Sequence, residues 1–113
     1  MNNITITGRL TADPELKQTQ SGIAVTSFNV AVDRSYTAKG QEKQTDFFTV
    51  VAWRGTAEFV CKYFGKGRLI LIKGEMQSRK YTDKDGNNRT AWEIVANSVE
   101  FMGDGKKGRQ FSG

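Results

Sequence analysis

The stretch Thr45-Asp46-Phe47-Phe48-Thr49-Val50-Val51-Ala52-Trp53-Arg54 constrains this chain more than any other. It is rich in β-branched and aromatic residues and holds neither Gly nor Pro, so it reads as a strand. Alternate side chains of a strand face opposite ways, which puts Phe47, Thr49, Val51 and Trp53 on one face and Phe48, Val50 and Ala52 on the other. Both faces are apolar. A small sheet has one core, so the second face needs another layer, another subunit or a ligand. Two aromatics spaced by hydroxyl and aliphatic groups, with Arg54 at the end, suit a flat, π-faced, anionic polymer: nucleic-acid bases on a phosphate backbone. A strand buried on both sides by helix and sheet satisfies the same pattern. The stretch alone does not choose between them.

At 113 residues the chain has room for one domain with a real core. No apolar run approaches the length of a membrane span, and the N-terminus lacks the basic region and apolar block of a signal peptide, so a cytoplasmic protein is expected. A single cysteine, Cys61, leaves no internal disulfide framework, and there is no histidine. Missing with it are the commonest metal ligand and the commonest general base near neutral pH. The net charge of +5 is a weak pointer to a polyanionic partner.

Residues 4–10 alternate apolar and polar and read as a half-buried strand, with Gly8 a possible bend. After Asp13-Pro14-Glu15 and a Ser21-Gly22 turn, Ile23 to Asp33 forms a second strand, with Phe28, Val30 and Val32 on one face and Val25, Ser27 and Asn29 on the other. Residues 34–44 are polar and read as a loop holding three cations and Tyr36, a ring with no obvious core to enter. Beyond the central strand the period changes. Ala57, Val60, Cys61 and Phe64 mark one face of a short helix, capped by Gly55 or Thr56, with Glu58 in its first turn, and stopped by Gly65. Cys61 on that face reads as a small buried hydrophobe. Arg68 to Glu75 is a fourth strand, running through a bend at Gly74 into Met76–Tyr81. A turn at Asp85-Gly86 leads to a fifth strand, Thr90 to Met102, with Val95, Val99 and Phe101 on one face and Trp92 and Ile94 on the other. From Gly103 the composition is that of a disordered basic tail.

Three strands, a short helix and two strands, one of them long and bent, make an all-β chain laid out as a five-stranded OB-fold barrel with its helix between strands three and four. The expected division is an OB-fold single-strand-binding domain over residues 1–103 and a flexible basic tail over 104–113. Such a barrel holds oligonucleotides on strands two and three and on the loops joining strands one–two and four–five. Phe47 and Trp53, Tyr36 in the preceding loop, and Arg79, Lys80 and Tyr81 on the last hairpin all fall near that surface. Each base stacked on an aromatic contributes about 1–3 kcal/mol with little regard to sequence. A duplex hides its base faces and would be refused.

The ordered pieces Gly8-Arg9-Leu10-Thr11-Ala12-Asp13-Pro14-Glu15-Leu16, Ser21-Gly22-Ile23-Ala24-Val25, Ala31-Val32-Asp33-Arg34-Ser35-Tyr36, Asp46 to Arg54, Gly74 to Tyr81 and Trp92-Glu93-Ile94-Val95-Ala96 closely resemble the bacterial-type single-stranded DNA-binding proteins. The match runs from about Ile4 to Met102. The resemblance implies protection of single-stranded DNA in replication, recombination or repair, in the cytoplasm and on the nucleoid, without a cofactor, a metal or catalysis. It implies base stacking at Tyr36, Phe47, Trp53 and Tyr81 and phosphate contacts from Lys39, Lys66, Arg79 and Lys80. Thr49 falls on the same face, and position and charge add Arg34, Lys43 and Arg54. Trp92 is unusual for the family and reads as a packing residue more readily than as an extra platform. The family's homotetramer implies first-strand pairing around Ile4, Ile6 and Leu10, with Phe48 in the assembly of dimers, so part of the second apolar face competes as subunit interface. Members typically carry a long linker and an acidic tip that recruits other proteins. No such tip is seen before Gly113, as in a short-form, phage or plasmid relative or a truncated chain.

An enzyme is the first rival, and the residues offer it nothing. The glycine at 86 comes too early for a calcium loop, Gly65-Lys66-Gly67 follows a helix where a phosphate loop precedes one, and no nucleophile has a base nearby. An OB module of replication restart or RNA binding, or one used only for protein contacts, is a closer rival. DNA and RNA differ here by a 2′-hydroxyl contact that sequence does not show.

Overall fold

The computed structural model describes residues 1–34, 40 and 44–102. Its strands are β1 (Ile4–Leu10), β2 (Lys17–Gln18), β3 (Ala24–Asp33), β4 (Thr45–Trp53), β5 (Leu69–Thr82) and β6 (Asn88–Phe101), with one helix, α1 (Arg54–Tyr63), between β4 and β5. They form a single sheet in the order β1-β5-β6-β4-β3-β2, and β1 also pairs with β3. That last pairing, Arg9 with Ala31 and Leu10 with Val30, closes five strands into a ring. This is the expected OB-fold barrel. The extra strand β2 has two residues, against Val25 and Ala24, too few to show any period in the sequence.

Alternation fills the barrel. Ala24, Thr26, Phe28 and Val30 of β3, Val50 and Ala52 of β4, Ile70 and Ile72 of β5, and Ile94 and Ala96 of β6 all point inward and are buried. Each large aliphatic side chain so buried contributes about 1.5–3 kcal/mol. The one buried polar side chain among the described residues, Thr26, gives its hydroxyl proton to the Glu15 carbonyl at 2.7 Å, so no polar atom is stranded there. Ala57 and Val60 of α1, with Phe64 just past its end, seal the lower end of the barrel, and α1 packs on β3, β4 and β6. Cys61 on the same helix is half-buried.

Two expected details differ. The helix starts without a loop or a side-chain cap: Trp53 is its N-cap, Arg54 takes a left-handed turn at φ 57°, and no acid lies in the first turn. Gly55, Thr56 and Glu58 therefore lie inside the helix, because the strand feeds directly into it. On β6, Lys73 pairs with Ser98 but Gly74 pairs with Ala96, so Asn97 is skipped. A bulge reverses the alternation. Ile94 and Ala96 therefore share the core side with Val99, while Val95, expected beside Val99, faces outward.

Glycines stand where the strands crowd. A Cβ on Gly8 would meet the Ala31 carbonyl oxygen at 2.6 Å, and one on Gly74 would overlap the Val95 carbonyl. Past Gly74, β5 and β6 leave the barrel together. From Gln77 to Thr82 and from Asn88 to Thr90 every residue is exposed, so the hairpin projects as a two-stranded arm.

Candidate nucleic-acid interface

The outward face of β4 carries Phe47, Thr49, Val51 and Trp53, opposite Ala31, Asn29, Ser27 and Val25 of β3. Small partners leave the rings uncovered: Phe47 is 68% exposed and Trp53 42%. They stand six residue steps apart along the strand, or about 20 Å. Between them the Thr49 hydroxyl bonds the Asn29 side-chain oxygen at 2.9 Å, which ties the two strands with a polar patch. On its other side β4 runs parallel to β6, with Val51 beside Val95. The same face continues through Glu93 and Ala91 to Gln77, Arg79 and Tyr81 on β5. Tyr81 is 43% exposed, with the Arg79 guanidinium 5.5 Å from its ring centre.

Exposure alone does not mark these rings. Tyr63 and Phe101, at the lower end, are comparably exposed but pack in a cluster with Phe59 and Phe64; Phe64 and Phe101 stack at 4.8 Å, and Arg68 lies over Phe101. Those rings already have partners. Among the described residues Phe47, Trp53 and Trp92 contact no other ring.

The cations divide in two. Arg34 gives two hydrogen bonds to Asp46, 3.0 and 3.1 Å long. This bond raises the arginine's pKa and holds the Asp46 carboxyl below its usual range. Arg79 is held by Glu93 at 3.2 Å. Arg54, Lys66 and Lys80 are exposed and form no ion pair among the described residues. Lys66 lies beyond the far end of α1, a helix about 15 Å long, where its backbone amide is fixed by Asp13 at 2.7 Å. So Phe47 and the arm lie at one end of the β4 face, and Trp53, Arg54 and Lys66 toward the other. Tyr36, Lys39 and Lys43 fall outside the described residues, as does the expected tail.

At the arm's tip, Asp83 accepts from the amides of Asp85 and Asn87, both at 2.9 Å, and from Arg89 Nε at 2.8 Å. The Arg89 bond first, then the Asn87 amide, keeps its carboxyl below the usual carboxylate range. This acid-rich turn spends its oxygens on its own backbone. Among the described residues no cluster of three or more His, Cys, Asp or Glu groups is placed to hold a metal.

Of the expected assembly residues, Ile4, Ile6 and Phe48 are half-buried, packed on the core with part of each side chain outside. Leu10 does not belong with them. It is 2% exposed, inside the barrel, and has no surface to offer a second chain. Ile6 and Phe48 line a cleft of about 580 Å³ between β1 and the ends of β3 and β4. Trp92 also departs from expectation: it is 63% exposed and packs against no ring. Alternation from Ile94 puts it on the core side, but the core ends before it.

The chain matches the model of the single-strand binding protein family over residues 1–102. It belongs to that family. A single-stranded DNA-binding protein 2 of Listeria monocytogenes is 41% identical over 102 residues, covering 90% of this chain and 64% of that one. A single-stranded DNA-binding protein of Clostridium tetani is 46% identical over 108 residues, covering 95% and 74%. A single-stranded DNA-binding protein 3 of Clostridium acetobutylicum is 46% identical over 103 residues, covering 90% and 71%. The chain spans 64–65% of the length of its Listeria and Staphylococcus aureus relatives. The family match takes in both the barrel and the arm, so every exposed ring described above lies within it.

Proposed function

We propose that this chain binds and protects single-stranded DNA with little regard to sequence, in replication, recombination or repair, by stacking bases and without a chemical step. The observation that carries the reading is the set of exposed rings without core partners, Phe47 and Trp53 on β4, with Tyr81 on the same outward surface. Such rings cost apolar exposure unless a π-faced ligand covers them. The family resemblance adds Tyr36 as a further stacking ring. Arg54, Lys66 and Lys80 meet phosphates directly, while Arg34 and Arg79 do so in competition with Asp46 and Glu93; Lys39, by the resemblance, and Lys43, by its charge and place in the sequence, are further phosphate contacts. Relatives whose names declare single-stranded DNA binding support DNA as the strand. The working form is a homotetramer, for which the part-exposed Ile4, Ile6 and Phe48 and the open edge of β1 supply surface. Its place is the cytoplasm, on the nucleoid; no helix among the described residues is long and apolar enough to cross a membrane.

The test is tryptophan fluorescence during titration with oligo-dT at low and high salt, with a duplex as control. Quenching by the single strand, weakened by salt and absent with duplex, is expected. Phe47→Ala with Trp53→Ala should weaken binding of every base sequence by a similar factor, about 1–3 kcal/mol for each lost platform. Normal binding by the double variant, with loss of its oligomeric state, would assign those rings to an interface.

A further inference from the structure

Trp92 stands on β6 directly across from Ser78 of β5, on the face opposite Tyr81. A serine cannot cover an indole. The next residues on that face are Met76 and Ile94 toward the barrel and Lys80 and Thr90 toward the tip, again in register. Ile94 is buried and Met76 half-buried, so the hydrophobic core ends at that pair. Trp92 is the first residue past the rim, 63% exposed and without a ring partner among the described residues. Lys80 is one step farther out, exposed and without an ion pair. A core-packing role does not account for so exposed an indole, whose β5 neighbours on that face among the described residues are Met76, Ser78 and Lys80.

We infer that Trp92 is a second base-stacking platform on the arm, facing away from Tyr81, with Lys80 beside it as its phosphate contact. This rests on the reading of the chain as a single-strand binder and extends the strand's path from one face of the hairpin to both. Each face then carries one ring with a cation beside it: Tyr81 with Arg79 and, directly across the strands, Arg89, which Asp83 holds, and Trp92 with Lys80. The two differ in that Arg79 is held by Glu93, which makes the Trp92 face the less neutralised one. The ligand class is single-stranded nucleic acid, because an indole between a barrel rim and a free ammonium suits a base joined to phosphate.

The chain has two tryptophans, so Trp53→Phe leaves Trp92 as sole reporter in the full chain. Titrating that protein with oligo-dT should quench the remaining emission, and salt should reverse it. Trp92→Ala should weaken binding by roughly 5- to 150-fold across base sequences, and Trp92→Phe should recover part of the loss by restoring a π face. Unchanged Trp92 emission at saturation, with Trp92→Ala binding as wild type, would overturn the inference and leave the parent reading standing. A change in oligomer mass in Trp92→Ala without a change in affinity would also overturn it, by assigning the indole to a contact between copies. If the wild-type chain bound no single strand, both readings would fall together.

Discussion

Single atoms decide several features of this barrel, and Gly74 is the clearest. It sits at the register break where β5 leaves the ring, and any side chain there would run into the Val95 carbonyl. Gly74→Ala should therefore destabilise the fold by about 1–3 kcal/mol, read as a lower urea midpoint with an unchanged slope. Wild-type stability would mean that the arm's root relaxes freely. The glycine's presence suggested a bend in the sequence; the structure puts a register break there, between Lys73 and Gly74 of an unbroken strand. What the sequence did not reveal is the skipped Asn97 on the opposite strand, since a bulge is a property of a pair and neither strand alone encodes it.

At the scale of the element, the arm carries its own electrostatics. Glu93 holds Arg79 beside Tyr81. Glu93→Gln should free that guanidinium and steepen the plot of log K against log salt by up to about 0.7, the contribution of one further phosphate on a single strand. An unchanged slope would take Arg79 off the phosphate path. At the tip, Asp83 is held ionised by Arg89 and by its own turn. A carboxyl whose folded pKa lies below its unfolded value stabilises the fold above the ordinary carboxylate range and loses that contribution as pH falls through the depressed value. Amide exchange at Asp85 and Asn87, corrected for intrinsic rates, should accelerate across that acid range. Exchange that stayed flat would deny the Asp83 carboxylate its part in the turn.

On the scale of the whole molecule, the proposed assembly turns on the free edge of β1. The first strand pairs with β5 along Ile4 to Arg9 but with β3 only at Arg9 and Leu10, which leaves the earlier residues an unpaired edge beside the Ile6–Phe48 cleft. Unpaired edges invite strand addition. If the proposed tetramer is built on this edge, Ile6→Glu with Phe48→Lys should shift the mass seen by light scattering toward smaller species, while single-strand binding per chain persists more weakly. A tetramer unmoved by both changes would place the interface elsewhere.

The sequence by itself determined the number of the long strands, the helix between the third and fourth of them, and the outward face of β4 with Phe47 and Trp53. Those follow from local periodicity, which a strand or helix carries in its own residues. The faces of β6 do not, because the skipped Asn97 turns Val95 away from Val99. Only the tertiary structure decided where the barrel ends. That boundary buries Leu10 and exposes Trp92, although alternation points both toward the core. Inward direction is local; having something to pack against depends on how far neighbouring strands extend, and partners distant in the chain set that.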